Sequence, residues 1–86
     1  MRTGVLMPTI LVVRGYRLFF YSNEGTPREP PHVHVRRASG EAKVWLEPLA
    51  FASHAGFNRG ELREVESMVR DAVGLIVERW NEYFDS

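Results

Sequence analysis

The sequence has no cysteine, which excludes disulfide bonds, thiolate metal sites and cysteine nucleophiles. It also lacks an apolar run of about 18 residues, the length that a membrane span requires. The apolar run within residues 1–9 is too short for a secretory signal. A phosphate-cradling glycine loop and a nucleophile-elbow motif are missing as well. We therefore expect a cytoplasmic protein whose chemistry would depend on histidine, carboxylate and basic side chains.

The formal net charge is zero, but the charged residues are unevenly distributed along the chain. Residues 1–46 hold seven basic and three acidic side chains (+4), whereas residues 47–86 hold four basic and eight acidic ones (−4). Such a split can polarise a molecule and suit one side to an anionic partner. The 86 residues, 44% of them hydrophobic, predict a single globular domain, with residues 1–6 as a flexible extension.

Short β-branched and aromatic runs predict a sheet in the first half of the chain. The predicted strands cover residues 9–13, 16–21, 32–37 and 42–46. A polar loop at 22–31 ends in Pro30 and Pro31, which cannot donate hydrogen bonds to a strand ladder. Residues 51–57 fit either a short edge strand or an irregular crossover, so the antiparallel sheet over 9–46 has four or five strands.

A long helix is predicted over residues 58–84. Asn58 and Glu61 have the spacing of a capping box, and apolar residues then recur every three or four positions, which predicts one buried stripe. The residues expected against the sheet are Leu62, Val65, Val69, Val73, Ile76 and Trp80. The fold class is therefore α+β, with two layers: an antiparallel sheet packed by one C-terminal helix.

The helix segment 72–77 is apolar on every side. One small sheet covers only one side of a helix, so we expect a small partner protein or a second copy of the chain to cover the rest. The alternative is a kink at Gly74 that folds the helix back on its own core.

Alternation along the strands divides their side chains between two faces. One set is apolar, and we expect it to form the core: Tyr16, Leu18, Phe20, Val33, Val35, Val44 and Leu46. The opposite set interleaves basic and aromatic groups, and we expect it to be exposed: Arg17, Phe19, Tyr21, His32, His34, Arg36, Lys43 and Trp45.

The basic and aromatic set resembles a platform for single-stranded RNA, on which rings stack bases and cations contact phosphates. The predicted binding residues are Arg17, Tyr21, Arg36, Lys43 and Trp45. The alternative is structural, because these residue types also form strands well and the face can be covered by a second copy. The protein would then be a non-catalytic structural adaptor.

The pair His32 and His34 permits three interpretations. As catalytic residues they would transfer protons in a metal-independent ribonuclease. As metal ligands they would need a third partner from Glu24, Glu47 or His54, none of which has a spacing that directs it inward. As a structural residue, His32 would hydrogen-bond the preceding loop and orient Asn23 or Glu24. We expect no metal and no cofactor.

Several segments resemble one small bacterial family, called domain of unknown function 4160. They are MPTI (7–10), GYRLFFYSNEG (15–25), EPPHVHVRR (29–37), GEAKVWLEP (40–48), GFNRGELREVESMV (56–69) and ERWNEYF (78–84). The most specific part is the Pro-Pro-His-x-His-Val core at residues 30–35. The resemblance implies a component of a toxin–antitoxin module, encoded beside a small protein of another family, domain of unknown function 2442. It implies no catalytic set.

Overall fold

The computed structural model describes residues 6–25 and 29–84, which form one five-stranded antiparallel sheet and one long helix. Strand order in the sheet follows chain order, so each strand pairs with its sequence neighbour. This confirms the predicted α+β fold. The elements are β1 (Thr9–Val13), β2 (Tyr16–Phe19), β3 (His32–Arg37), β4 (Gly40–Leu46), β5 (Leu49–Ala55) and α1 (Arg59–Phe84), with a 3-10 turn at Ser22–Gly25.

The fifth strand comes from the segment that the sequence left ambiguous. A tight turn at Glu47 and Pro48 reverses the chain, and β5 then pairs with β4 along the edge of the sheet. Phe51 packs against the core, whereas its neighbours Ala50 and Ala52 are exposed. The sheet therefore extends beyond residue 46 to residue 55.

Residues 1–5 of the predicted flexible extension lie outside the described residues. Leu6, the last residue of that extension, exchanges two hydrogen bonds with Ser22: its backbone N–H donates to Ser22 Oγ, and its carbonyl oxygen accepts from the Ser22 N–H, each at 2.8 Å. The chain is therefore attached to the 3-10 turn at a point that the prediction left free.

The core lies between the sheet and α1. All seven residues predicted for the core face are buried, and the helix adds Val65, Met68, Val69, Ile76 and Trp80. Met68 was not predicted, but it is three residues after Val65 and so lies on the same helix face. The predicted contacts Leu62 and Val73 are only half-buried.

The start of α1 has the predicted capping box. The Glu61 backbone N–H donates to Asn58 Oδ1 at 2.8 Å, and the Asn58 N–H donates to Glu61 Oε1 at 2.9 Å. In the described part of the chain, no helix combines the length and apolar character that crossing a bilayer requires.

Candidate functional site

Strand register brings the predicted basic and aromatic side chains onto one face of the sheet. His34 is the central residue of this face, because it pairs with Phe19 on β2 and with Lys43 on β4. His32 pairs with Trp45, and Arg36 with Arg17. The alternation in the sequence therefore grouped these residues correctly.

The centre of this face is closed to solvent, so the expectation of an exposed platform is wrong. Phe19 and His32 are completely buried, and His34 is 8% exposed. Ring contacts account for part of this burial: Phe19 stacks on His34 at 5.6 Å between centroids, and Tyr21 meets His34 edge-on at 4.5 Å. Both tryptophans contact the His32 ring, and the 3-10 turn after β2 brings Glu24 onto the two histidines.

Glu24 contacts both imidazoles with one carboxylate. His34 Nε2 donates to Oε2 at 2.7 Å, and His32 Nε2 lies 2.9 Å from Oε1. The Glu24 side chain is 13% exposed. Burial acts to raise the pKa of this carboxyl group, but its contacts with His34 and His32 outweigh burial and lower the pKa below its usual value. Glu24 is therefore an ionised carboxylate held between two rings.

His32 has a fixed ring orientation. Its Nδ1 donates to the Pro30 carbonyl oxygen at 3.0 Å, and because a carbonyl can only accept, Nδ1 must carry a proton. The ring is enclosed by both tryptophans, Trp45 at 5.3 Å and Trp80 at 4.9 Å between centroids. Its Nε2 approaches Glu24 without the alignment of a hydrogen bond and so is a buried nitrogen that makes none.

His34 connects the buried cluster with a shallow surface pocket. The pocket has a volume of about 280 Å³ and lies over β3, β4 and β5; its polar lining comes from His34, Glu41, Lys43, Ser53 and His54. Burial lowers the pKa of His34, against the opposing effect of Glu24. The imidazole is therefore held toward its neutral form, and it is the part of the cluster that can meet a molecule in this pocket.

The predicted cationic binding residues all have partners within the chain. Arg17 donates to Thr9 Oγ1 and to the Met7 carbonyl oxygen, both at 2.8 Å. Arg36 donates to Glu41 at 3.2 Å. Lys43 Nζ donates to a carboxylate oxygen of Glu29 at 3.1 Å. These contacts compete with any phosphate group that approaches the face.

The two predicted aromatic binding residues are half-buried. The Tyr21 hydroxyl accepts from Arg36 at 3.0 Å and donates to Glu41 at 3.2 Å, and burial, followed by Glu41, raises its pKa. Trp45 lies between the buried His32 ring and the Lys43 ammonium group, which is 4.5 Å from the indole centroid. The Trp45 ring therefore already contacts His32 and Lys43, which leaves less of it free to stack on a nucleic-acid base.

Three residues, Glu24, Glu47 and His54, were candidates for a third metal ligand beside the histidine pair. Of these, Glu24 contacts both histidines. The nearest ligand atoms of Glu24, His32 and His34 all lie within 4.8 Å of one another. His54 is exposed on β5, and Glu47 is exposed in the β4–β5 turn. One signal in the sequence pointed to Glu24. It lies in a turn-forming segment shortly after β2, and β2 is the strand that pairs with β3 next to His34.

The comparisons with known proteins identify a family without a described activity. The family model named Domain of unknown function (DUF4160) matches residues 15–81, which include strands β2 to β5, the cluster and most of α1. No curated protein and no solved structure shows significant similarity to the chain.

Proposed function

The chain belongs to the DUF4160 family, and on this premise we propose that it is a cytoplasmic component of a toxin–antitoxin module that binds a small partner protein. One observation supports the proposal: three of the four exposed large apolar side chains lie on or just before β1 at the edge of the sheet, and a groove connects the start of β1 with the fourth, Tyr83, near the end of α1. The partner would bind at this edge, along β1 and the C-terminal end of α1.

Four large hydrophobic side chains among the described residues are exposed, with fractions between 37% and 62%: Leu6, Met7, Val12 and Tyr83. The first two lie just before β1 and Val12 belongs to it, while Tyr83 is in the last turn of α1. Single exposed apolar residues are normal, but several along one strand are typical of an interaction surface. β1 is also an edge strand, whose outer backbone groups can accept another strand.

A groove joins the two parts of this edge. It has a volume of about 250 Å³ and is lined by residues before and within β1, by Phe20 just after β2, and by Arg79, Glu82 and Tyr83 of α1. A groove of this size accepts only a short segment of a partner. An obligate homodimer would need a much larger contact surface, because such interfaces bury about 2,000 Å² or more. An extended segment of a different protein, added along β1, is therefore the proposed occupant.

The helix segment 72–77 adds a weaker apolar surface. Ala72, Val73, Leu75 and Val77 are half-buried and Ile76 is buried, so the chain's own sheet covers much of this segment. It can extend the interface of the edge but offers less exposed apolar area.

The test is the affinity of the purified chain for the small protein encoded beside it. Tyr83→Arg places a charge in the groove, and we expect it to weaken binding at least tenfold, which is about 1.4 kcal/mol. Asn81→Arg introduces the same charge at an exposed position of α1 outside the groove, and we expect less than a twofold change. Titration calorimetry measures both.

Light scattering of the chain, alone and with the neighbouring protein, shows whether the groove binds that protein or a second copy of the chain. A monomer that gains mass only with the neighbouring protein supports the proposal. A stable dimer of the chain that Tyr83→Arg dissociates, with no binding to the neighbour, would assign the groove to a second copy and contradict it.

A second candidate function is RNA cleavage without a metal, favoured by the pocket in which His34 lies with Lys43 and His54. His32 cannot contact a substrate because it is fully enclosed, so His34 would be the acid–base group. We expect His34→Ala to abolish cleavage of a single-stranded RNA and the control variant Asn81→Ala, at an exposed position of α1 outside this pocket, to retain it. Equal activity of His34→Ala and the wild type would exclude this function.

A further inference from the structure

The Glu24, His32 and His34 cluster has the composition and spacing of a three-residue metal site. Zn²⁺ binds imidazole nitrogen at about 2.0–2.1 Å and carboxylate oxygen at about 2.0–2.2 Å, so its donors are about 3.3 Å apart in a tetrahedral site. In the structure the Glu24 oxygens lie 2.7 and 2.9 Å from the two Nε2 atoms, and all three ligand atoms fall within 4.8 Å. Small rotations of the carboxylate and the rings, with transfer of the His34 proton from Nε2 to Nδ1, therefore suffice to place an ion between them.

His32 supplies an independent observation. Its Nδ1 proton is committed to the Pro30 carbonyl, so in the neutral ring Nε2 carries a lone pair. This buried atom has no hydrogen-bond partner and does not point at the nearby Glu24 oxygen. Ligands of one ion behave in this way, because they approach each other closely while their lone pairs converge on a common point. A backbone carbonyl that orients the other ring nitrogen is a regular feature of histidine ligands.

The charge of the cluster favours a cation. Glu24 contributes one negative charge, and no Lys or Arg is paired with it in the part of the chain that the structure describes; the nearby cations Arg36 and Lys43 have carboxylate partners of their own. A carboxylate that is mostly removed from water needs a compensating charge. A divalent ion would supply it.

We propose that Glu24, His32 and His34 bind one divalent transition-metal ion of the Zn²⁺ type through the carboxylate and both Nε2 atoms. Two imidazoles and one carboxylate match the preferences of zinc, iron, nickel and copper, whereas calcium and magnesium prefer oxygen ligands. The proposal replaces the expectation of no metal, which was based on the lack of a third ligand directed at the histidines. It is independent of partner binding at the β1 edge.

Three protein ligands leave one position of the ion to an exchangeable group, as in catalytic zinc sites. His32 is closed off by Trp45 and Trp80, so this position must face the side of Glu24 and His34, which are the members of the cluster that retain some exposure. Water or a small anionic ligand can occupy it from there.

The test uses the full chain without an affinity tag, after treatment with a chelator. We expect calorimetry with Zn²⁺ to give one ion per chain with a dissociation constant in the micromolar range or lower. Co²⁺ should quench tryptophan fluorescence at the same stoichiometry, because both tryptophans of the chain contact the His32 ring. Glu24→Gln and His34→Ala should weaken Zn²⁺ binding about 10- to 100-fold or more.

His54→Ala is the matched control, because it removes the third histidine of the chain, which lies outside the cluster. We expect it to change Zn²⁺ affinity less than twofold. Nitrogen NMR of the wild-type imidazoles does not depend on how the variants fold, and it should show Zn²⁺ shifting Nε2 of His32 and His34 but neither nitrogen of His54. Failure to bind Zn²⁺ at one equivalent, unchanged Nε2 signals, or a loss of affinity in His54→Ala equal to that in His34→Ala would each overturn the proposal.

Discussion

At the scale of single residues, Glu24 determines the environment of the histidine pair. It offers one oxygen to each ring, and it comes from a turn that precedes the histidines by eight and ten residues. The alternation of β2, β3 and β4 predicted which side chains share the face, because side-chain direction in a strand depends only on local geometry. It could not predict that a loop residue closes the face, because the path of a polar loop depends on contacts distant in sequence.

Removing the Glu24 carboxylate should therefore destabilise the protein even without metal. Glu24→Ala leaves the buried N–H of His34 without an acceptor, and an unsatisfied buried polar group costs about 1–3 kcal/mol. We expect this loss in the free energy of unfolding, measured by urea denaturation in the presence of a chelator.

Glu29→Ala is the control for this substitution. Glu29 belongs to the same β2–β3 connection, but it pairs with Lys43 near the surface, where its own side chain is 37% exposed. Such pairs contribute about 0–1 kcal/mol, so this variant should unfold close to the wild type. Equal losses in the two variants would show that Glu24 is an ordinary surface carboxylate.

At the scale of secondary-structure elements, strand β5 and the start of α1 differ in how well their sequence predicts them. The start of α1 was predictable to within a residue, because Asn58 and Glu61 form a local motif whose hydrogen bonds need no other part of the fold. Strand β5 was ambiguous, since most of its residues have weak strand preference and only Leu49 and Phe51 pack against the core. Pairing with β4 determines its conformation, and a single sequence does not contain that information in local form.

The glycine in the middle of α1 offers a test of the helix at its exposed side. A Cβ atom at Gly74 would meet nothing within 4 Å, and alanine is favoured over glycine in a helix by about 1 kcal/mol. We expect Gly74→Ala to stabilise the protein by about 0.5–1 kcal/mol in the same urea experiment.

Gly56→Ala should have the opposite effect. Gly56 precedes α1 with φ near +80°, and an added Cβ would lie 2.6 Å from the Ser39 carbonyl oxygen.

The contradicting outcome for the helix concerns Gly74. Destabilisation by Gly74→Ala would mean that the helix bends at Gly74, as in the alternative of a kinked helix.

At the scale of the whole molecule, the opposite charges of the two halves of the chain meet across the structure. Arg14 at the β1–β2 turn pairs with Glu64 of α1 at 3.0 Å, and Arg37 at the end of β3 approaches Glu61 at 4.0 Å. The basic first half and the acidic second half thus partly neutralise each other. The composition predicted a polarised molecule, but it could not show that sheet and helix would bring these charges together.

This arrangement also separates the functional hypotheses. RNA recognition by the sheet face would need its cations to leave their internal partners. The apolar edge at β1 needs no such rearrangement, and the buried cluster needs only a local adjustment of Glu24, His32 and His34. The sequence therefore predicted the fold and the grouping of side chains well. It predicted the character of the site less well, because burial and pairing depend on the complete fold.

Anomalous diffraction from crystals grown with Zn²⁺ would test the central claim about the histidine cluster most directly. The account predicts one strong peak about 2.0–2.2 Å from the Nε2 atoms of His32 and His34 and from a carboxylate oxygen of Glu24. A peak bound only to the exposed His54, or the His34 N–H still donating to Glu24 with no peak between them, would contradict it.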